Sequence, residues 1–322
     1  MDQLPAVDWD LAARTGAGLV PAGPRLDPSD VAAVVAELRT AAAAATEHVR
    51  RVTELEQPAA AEVLVVDRTG WLTAISQSAQ ALLEGASGPP ERVDNPWRAA
   101  RAKALGVQAG GVFAILATRI LGQFDPFYRP ERLLLVAPNV VAVETRLGVL
   151  PRDFRLWVCL HEETHRFQFG TAPWLRSHLF GLIGELLDGD ELQFGWPDAD
   201  GLRSVFGSPE QQQAFDQVNA VMALLEGHAD VMMDRVGTSV VPTYPSIRRA
   251  FNARRDAAGA FAFVQKLLGM DLKMAQYRDG AAFCRAVIDA ADVATLNRAF
   301  SAPGMLPTVD ELRDPQRWLS RL

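Results

Sequence analysis

The chain of 322 residues has few cysteines and no long apolar run, and each shortage narrows its possible function. Cys159 and Cys284, its two cysteines, form no motif and fall in apolar helical patterns, so each is expected to be a small buried residue in a reducing compartment. No apolar stretch approaches the roughly 18 residues that a membrane-spanning helix needs, and the amino terminus lacks the regions of a signal peptide. We therefore expect a cytoplasmic protein without a membrane partner.

An excess of positive charge is also missing, because the formal net charge is −7. This charge gives no electrostatic attraction to DNA, RNA or an anionic membrane. The hydrophobic content of 49% and the charged content of 22% are ordinary values for a globular enzyme with a substantial core. Nucleic acid is therefore not expected as a partner, and the oligomeric state stays open.

Histidine is scarce, with five residues in the chain, yet two of them stand in the pattern His161-Glu162-x-x-His165. A chance match to this pattern is expected in roughly one chain of this length in a hundred. The sequence around it predicts a helix, on which residues i and i+4 lie one above the other, so both rings can bind one metal ion. Glu162 could then act on a water molecule held by the metal. The alternative is a pair of histidines that cap a packed helix.

A catalytic zinc site typically has three protein ligands, so a third ligand must come from elsewhere. A metzincin would carry glycine and histidine where this chain has Gln168 and Thr171, which excludes that class. A thermolysin-like site takes a glutamate from a later helix. The capping-box residues at 208–211 and the glycine at 237 predict such a helix between them.

On that second helix, Asn219, Glu226 and Asp230 form a polar stripe along the border of the apolar face. We predict Glu226 as the third ligand and Asp230 as the acceptor of a spare N–H of a ligand histidine. The alternative is an ordinary surface glutamate with a solvated aspartate. His228 lies about 160° from Glu226 around the helix, which indicates a packing or solvent-side residue.

The remaining sequence predicts a mainly α protein with a few short β-strands, an α+β fold. We expect an extended arm over 1–26, a helical and strand subregion over 27–96 and a metal-binding helical domain over 97–322. The last two are either separate or one continuous domain. The pattern predicts helix over 97–122, a strand over 133–137 that is either an edge strand beside the site or a buried strand, and a short helix capped by Asn139. Tyr277 and Arg278, before a predicted helix break at Asp279-Gly280, are candidates for stabilising an oxyanion, with an ordinary surface location as the alternative.

The chain resembles the actinobacterial zincin-like metallopeptidases, which are often labelled as associated with biosynthesis of the deazaflavin redox coenzyme. The resemblance runs from about residue 62 to the carboxyl terminus, and its specific part is the pair of metal-site motifs. It rests on residues 65–68 with Trp71, 121–125, 154–157, 161–165, 173–176 and 226–230. Within the broader gluzincins, Glu226-x-x-Ala229-Asp230 is similar to a pattern of membrane-bound housekeeping metallopeptidases, which implies a zinc ligand at Glu226 and a supporting residue at Asp230.

Together these observations predict a Zn²⁺ site held by His161, His165 and Glu226, with Glu162 as the general base of amide-bond hydrolysis. The expected substrate is a peptide or a small amide. Two alternatives stay open: a small-molecule amidase linked to coenzyme metabolism, and a noncatalytic zincin-like protein used for binding or as a scaffold.

Overall fold

Helices form most of the structure, which is a computed structural model. It describes residues 6–89, 95–187, 208–256 and 270–322, and within these ranges it describes all side chains except those of residues 251–278. Together with one small sheet, they confirm the mainly α, α+β fold class. The helices are α1 Trp9–Leu19, α2 Pro28–Thr53, α3 Arg68–Ser87, α4 Pro96–Ala117, α5 Ala137–Leu147, α6 Pro151–Thr171, α7 Trp174–Leu187, α8 Pro209–Val236, α9 Tyr244–Asp256, α10 Met270–Ala290, α11 Val293–Asn297, α12 Val309–Arg313 and α13 Pro315–Ser320. The strands are β1 Glu62–Val66, β2 Gly122–Asp125 and β3 Arg132–Val136.

The first helix, α1, corrects the prediction of an extended arm over 1–26. Asp8 caps it, because its carboxylate accepts a hydrogen bond of 2.8 Å from the backbone N–H of Leu11. Along α1, Trp9 stacks on Phe113 of α4 with ring centroids 6.5 Å apart. Contacts with α4 thus support a helix that the Gly- and Pro-rich sequence did not indicate.

The sheet has the strand order β1-β3-β2, so the strand predicted at 133–137 is central and buried. β3 pairs in parallel with β1 and antiparallel with β2, which leaves β3 no free edge. The prediction of an edge strand at 133–137 was therefore wrong, and its alternative, a buried strand, is observed. The edge strand beside the site is instead β2, which begins at Gly122, where the sequence pattern predicted the end of a helix.

Asn139 does not cap α5, because it lies inside that helix with its side chain buried. Its amide donates hydrogen bonds to the carbonyl oxygens of Ala117 and Ile120, at 2.8 and 2.7 Å, and accepts one from Arg68 at 2.7 Å. Asn139 therefore joins the end of α4 to α5 and α3.

Two apolar clusters meet at the crossing of α6 and α8. One cluster includes Phe154, Leu160 and Phe167 of α6 with buried residues of α2 and β3, and the other is built around α8, α7 and α10. Because β1 pairs with β3, the segments on the two sides of residue 96 share one sheet; the domain boundary predicted there stays a prediction. Among the described residues, no helix combines the length and apolar character needed to cross a bilayer.

Candidate metal centre

The motif helix α6 is anchored to the core by the glutamate that follows Glu162. The carboxylate of Glu163, which is 3% exposed, accepts hydrogen bonds from Arg166 at 2.5 and 2.9 Å and from the hydroxyl of Thr46 on α2 at 2.7 Å. A buried carboxylate must be paired in this way, because an isolated charge would cost several kcal/mol. Glu163 thus fixes α6 against α2 and leaves the opposite face of the helix to the two histidines.

The rings of His161 and His165 converge on that face. Their Nε2 atoms are 3.2 Å apart, and the rings meet edge to face with centroids 4.7 Å apart. This convergence follows from the i, i+4 spacing, which places both side chains on one side of the helix. Two ring nitrogens at this distance require a proton or a cation between them, because two lone pairs would repel each other.

Glu226 of α8 completes the group. One carboxylate oxygen lies 3.5 Å from Nε2 of His161, and the other lies 3.7 Å from Nε2 of His165. Ligand atoms about 2.1 Å from a tetrahedral zinc ion are separated by roughly 3.4 Å. The observed separations lie near that value, although a different oxygen of Glu226 is nearest to each histidine, and one ligand atom from each residue can be chosen so that all three lie within 4.8 Å of one another. Two imidazole nitrogens and a carboxylate are donors that zinc prefers, so these three residues form a group of potential zinc ligands in the described part of the chain.

The position of Glu226 depends on close packing between α8 and α10. A Cβ atom on Gly227 would lie 2.2 Å from the backbone of Gly280, and one on Gly280 would lie 1.9 Å from the carbonyl oxygen of Ala223. Both positions therefore require glycine. The helix break predicted at Asp279-Gly280 was wrong, since α10 continues through these residues and uses Gly280 for helix contact.

Glu162 points away from Glu163 and toward the edge strand β2. Its carboxylate accepts a hydrogen bond of 3.0 Å from the backbone N–H of Phe124, and a Cβ atom on Gly122 would lie 2.6 Å from its Cγ. Burial raises the pKa of Glu162, an effect that the nearby histidines partly oppose. Glu162 is thus a positioned carboxyl group with increased basicity, next to the three potential ligands.

His161 and Glu226 carry opposite charges and form an ion pair. Burial alone would lower the pKa of His161, but the hydrogen bond and charge of Glu226 raise it to about 9. Burial would likewise raise the pKa of Glu226, but His165 and His161 lower it to about 2. A divalent cation would replace the shared proton of this pair, because metal binding requires deprotonated ligands.

Behind the histidines, Gln168 links α6 to α8. Its side chain is fully buried, with the amide oxygen 2.9 Å from Nδ1 of His165 and the amide nitrogen 2.8 Å from the carbonyl oxygen of Leu225. In the sequence, Gln168 indicated only that the chain is not a metzincin. The signal that could have identified it is its helical spacing, three residues after His165 and seven after His161, on the ligand face.

His228 is a packing residue, which was one of its two predicted roles; the other was a solvent-side residue. It is fully buried, its ring contacts Phe300 edge to face at 5.2 Å, and its Nδ1 lies 3.0 Å from the amide nitrogen of Gln168. Burial, with a contribution from His165, lowers the pKa of His228 to about 3, so the ring is neutral at physiological pH.

Asp230 does not accept a hydrogen bond from a ligand histidine, which corrects the prediction. Its carboxylate pairs with Arg248 and with Arg285, the latter at 3.3 Å. Each ligand histidine directs its Nδ1 atom at a group other than Asp230. Nδ1 of His161 lies 3.4 Å from Sδ of Met233, and Nδ1 of His165 faces the amide oxygen of Gln168. Two guanidinium groups from other helices therefore bind this carboxylate in place of an imidazole. The side chains of Tyr277 and Arg278, the oxyanion candidates, lie outside the described residues.

Comparison with known proteins points to one family. A model of a family described as zincin-like metallopeptidases matches residues 7–319. The chain is also similar to a protein from Chloroflexus aurantiacus, whose crystal structure is provisionally described as that of a hydrolase with a novel fold. The two share 29% sequence identity over 98% of each chain, with a TM-score of 0.69. No curated protein sequence matches the chain significantly.

Proposed function

The chain belongs to the zincin-like metallopeptidase family, and from this premise we propose that it is a zinc-dependent peptidase that uses Glu162 as its general base. One observation carries the proposal. The Nε2 atoms of His161 and His165 and the carboxylate of Glu226 converge at separations of 3.2 to 3.7 Å, with Glu162 adjacent. These residues are the minimum set for metal-assisted hydrolysis of an amide bond.

The chain's own residues would divide the reaction between them. His161, His165 and Glu226 would hold the zinc ion, which when bound lowers the pKa of a water molecule and polarises a carbonyl group. Glu162 would accept the proton of the attacking water, since burial raises its pKa and its partners are one backbone N–H and the nearby rings. It would then pass that proton to the leaving amine.

The edge strand β2 supports a peptide as substrate. The backbone groups of successive residues in a strand point alternately to its two sides. The carbonyl oxygen of Leu121 accepts a hydrogen bond from Val136 of β3, so the backbone groups of Gly122 and Phe124 point away from β3, toward the side of Glu162. An extended peptide that adds to the outer edge of a strand binds through its main chain, so the position of its scissile bond is set by register. On this edge the N–H of Phe124 is already bound to Glu162, so an added peptide would pair with the other backbone groups of Gly122 and Phe124. A small amide would gain nothing from such an edge.

The proposal is tested with the zinc-loaded protein and a peptide library. Glu162→Gln preserves shape and is expected to retain zinc, but to lower the rate of cleavage by about 10²- to 10⁴-fold, because a general base typically contributes that much. Glu185→Gln, at an exposed position of α7, is the matched control and should cleave as the unaltered protein does. Thermal unfolding of each variant checks that the fold is intact.

Three results would contradict the proposal in different ways. Cleavage of small amides without cleavage of any peptide would indicate an amidase of coenzyme metabolism. Bound zinc without any hydrolysis by the unaltered protein would indicate a binding or scaffold protein. Equal cleavage by Glu162→Gln and the unaltered protein would exclude Glu162 as the base.

A further inference from the structure

Gln168 makes three polar contacts inside the protein, although it was not among the predicted site residues. Its amide oxygen faces Nδ1 of His165 at 2.9 Å, and its amide nitrogen faces both the carbonyl oxygen of Leu225 at 2.8 Å and Nδ1 of His228 at 3.0 Å. The side chain has no exposed surface, so water does not compete for these contacts.

These partners allow one orientation of the amide. A backbone carbonyl can only accept a hydrogen bond, so the atom beside Leu225 must be the nitrogen of Gln168. A rotated amide would place two oxygen atoms 2.8 Å apart, where neither can donate a hydrogen bond. The amide oxygen is therefore directed at His165, and His228 accepts the second amide proton through Nδ1.

The orientation of the amide decides which ring nitrogen of His165 carries the proton. Because the oxygen of Gln168 can only accept, Nδ1 of His165 must donate. The lone pair of the neutral ring then lies on Nε2, the atom that faces His161 and Glu226 at 3.2 and 3.7 Å. His165 is thus held with its metal-binding nitrogen toward the centre. Among the described residues, the polar contact of the Nδ1 atom of His161 is with the thioether of Met233, a weak acceptor.

The same amide joins the two helices that carry the ligands. Leu225, whose carbonyl accepts its hydrogen bond, directly precedes Glu226 on α8, whereas Gln168 and His165 lie on α6. A shift of α8 along α6 that moved Glu226 away from the histidines would also disrupt this bond, because Leu225 moves with Glu226. Gln168 therefore acts on two ligands at once.

We propose that Gln168 is the positioning residue of the metal centre: it sets the tautomer of His165 and holds Glu226 within metal-binding distance of both histidines. This inference rests on the proposed function, because it assumes that the three residues bind a metal ion. It assigns Gln168 no contact with the metal or the substrate. Its effect passes through His165 and through α8.

The test compares the zinc dissociation constants of Gln168→Met and Gln211→Met. Methionine has nearly the same length as glutamine but neither donates nor accepts as an amide does, so His165 would lose its orienting acceptor. Loss of such a partner typically weakens metal binding by about 10- to 100-fold. Gln211 is also buried, with an amide hydrogen bond of 3.1 Å to the carbonyl oxygen of Leu186, but it lies at the far end of α8. Its replacement should reduce thermal stability and leave zinc affinity within about twofold.

A purely structural role for Gln168 makes a different prediction. Both variants would then lose thermal stability, and both folded proteins would bind zinc as tightly as the unaltered protein does. That result would overturn the proposal while leaving the peptidase function intact. Conversely, an unaltered protein that binds zinc but cleaves nothing would contradict the proposed function and not the role of Gln168.

A second measurement decides the matter even if Gln168→Met does not fold. Nitrogen NMR of histidine in the unaltered, zinc-loaded protein should show the proton of His165 on Nδ1 and the metal on Nε2. The metal-free protein at alkaline pH should show the same proton position. A proton on Nε2 of His165 in the metal-free protein, or zinc bound through Nδ1, would contradict the proposal.

Discussion

Glu226 and Asp230 lie one turn apart on α8, yet their carboxylates contact different kinds of basic group. Their side chains are almost equally exposed, at 31% and 32%. Glu226 lies between two imidazole rings, whereas Asp230 pairs with the guanidinium groups of Arg248 and Arg285. The exposed fraction of the side chain therefore does not distinguish the two carboxylates. The chemistry of their partners does.

The partners differ in whether they can lose a proton. Arginine stays charged under all physiological conditions, so an aspartate paired with it is permanently neutralised. Histidine releases its proton when a metal ion competes for the ring. The group of Asp230, Asp234, Arg248 and Arg285, here called the arginine–aspartate cluster, is thus closed to cations, while the adjacent group around Glu226 can accept one.

The largest expected effect separates the two carboxylates directly. Glu226→Gln removes the charge of a predicted ligand and should weaken zinc binding on the order of 10³-fold, about 4 kcal/mol. Asp230→Asn makes the matching change one turn away and should alter zinc affinity by less than about threefold, because Asp230 contacts arginine and not a ligand ring. Zinc titration with a competing chelator measures both. An equal loss in both variants would mean that Asp230 supports a ligand after all.

The second effect tests the helix contact on which the comparison depends. Gly227→Ala would place a methyl group 2.2 Å from the backbone of Gly280, so α8 and α10 must separate. We expect a loss of about 3 kcal/mol in the free energy of unfolding, typical of severe overpacking, together with weaker zinc binding. The increase in urea sensitivity measures the loss.

Gly181→Ala, on α7, is the matched control for this substitution. A Cβ atom at Gly181 would meet no atom of the described residues within 4 Å, and alanine favours helix over glycine by up to about 1 kcal/mol. This variant should be slightly more stable than the unaltered protein. If Gly227→Ala behaved in the same way, the close contact between α8 and α10 would be refuted.

The convergence of His161, His165 and Glu226 could be predicted because both of its parts are local. The spacing of four residues fixes the histidines on one face of a helix, and the polar stripe on the second helix identifies Glu226 as a carboxylate at an apolar border. Neither step needs a contact between distant residues. Their meeting across α6 and α8 was the assumption, and the structure brings the three side chains together.

The errors arose where the partner comes from a distant part of the chain. The stripe that indicated Glu226 also contained Asp230, but Arg248 and Arg285 belong to α9 and α10, and no helical pattern reports them. β2 has four residues and is stabilised by pairing with β3 and by the space that Gly122 leaves for Glu162. Such non-local contacts override local propensity, which for residues around 122 favoured a helix.

The smallest expected effect concerns the response of the arginine–aspartate cluster to acid. Burial would raise the pKa of Asp234, but hydrogen bonds from Tyr244 and Arg248 lower it below the ordinary value of 3.8. A carboxylate whose pKa is lower in the folded state stabilises the protein above its unfolded-state pKa, and this contribution is lost as the pH falls through the folded-state value. Asp234→Asn should therefore reduce the free energy of unfolding by about 1 kcal/mol near neutral pH, as for other partly exposed pairs, and the difference should disappear as the pH falls below 3.8 and through the lowered folded-state pKa of Asp234. Urea unfolding of the metal-free proteins measures this difference, and the acid loss of the Glu226 ion pair cancels because both proteins share it.

Tyr244→Phe, which removes one of the hydrogen bonds to Asp234, should show a smaller pH-dependent difference of the same sign. A difference that stayed constant from neutral pH down through the acid titration of Asp234 would show that the charge of Asp234 contributes nothing, and the cluster would then differ from the metal centre in geometry alone.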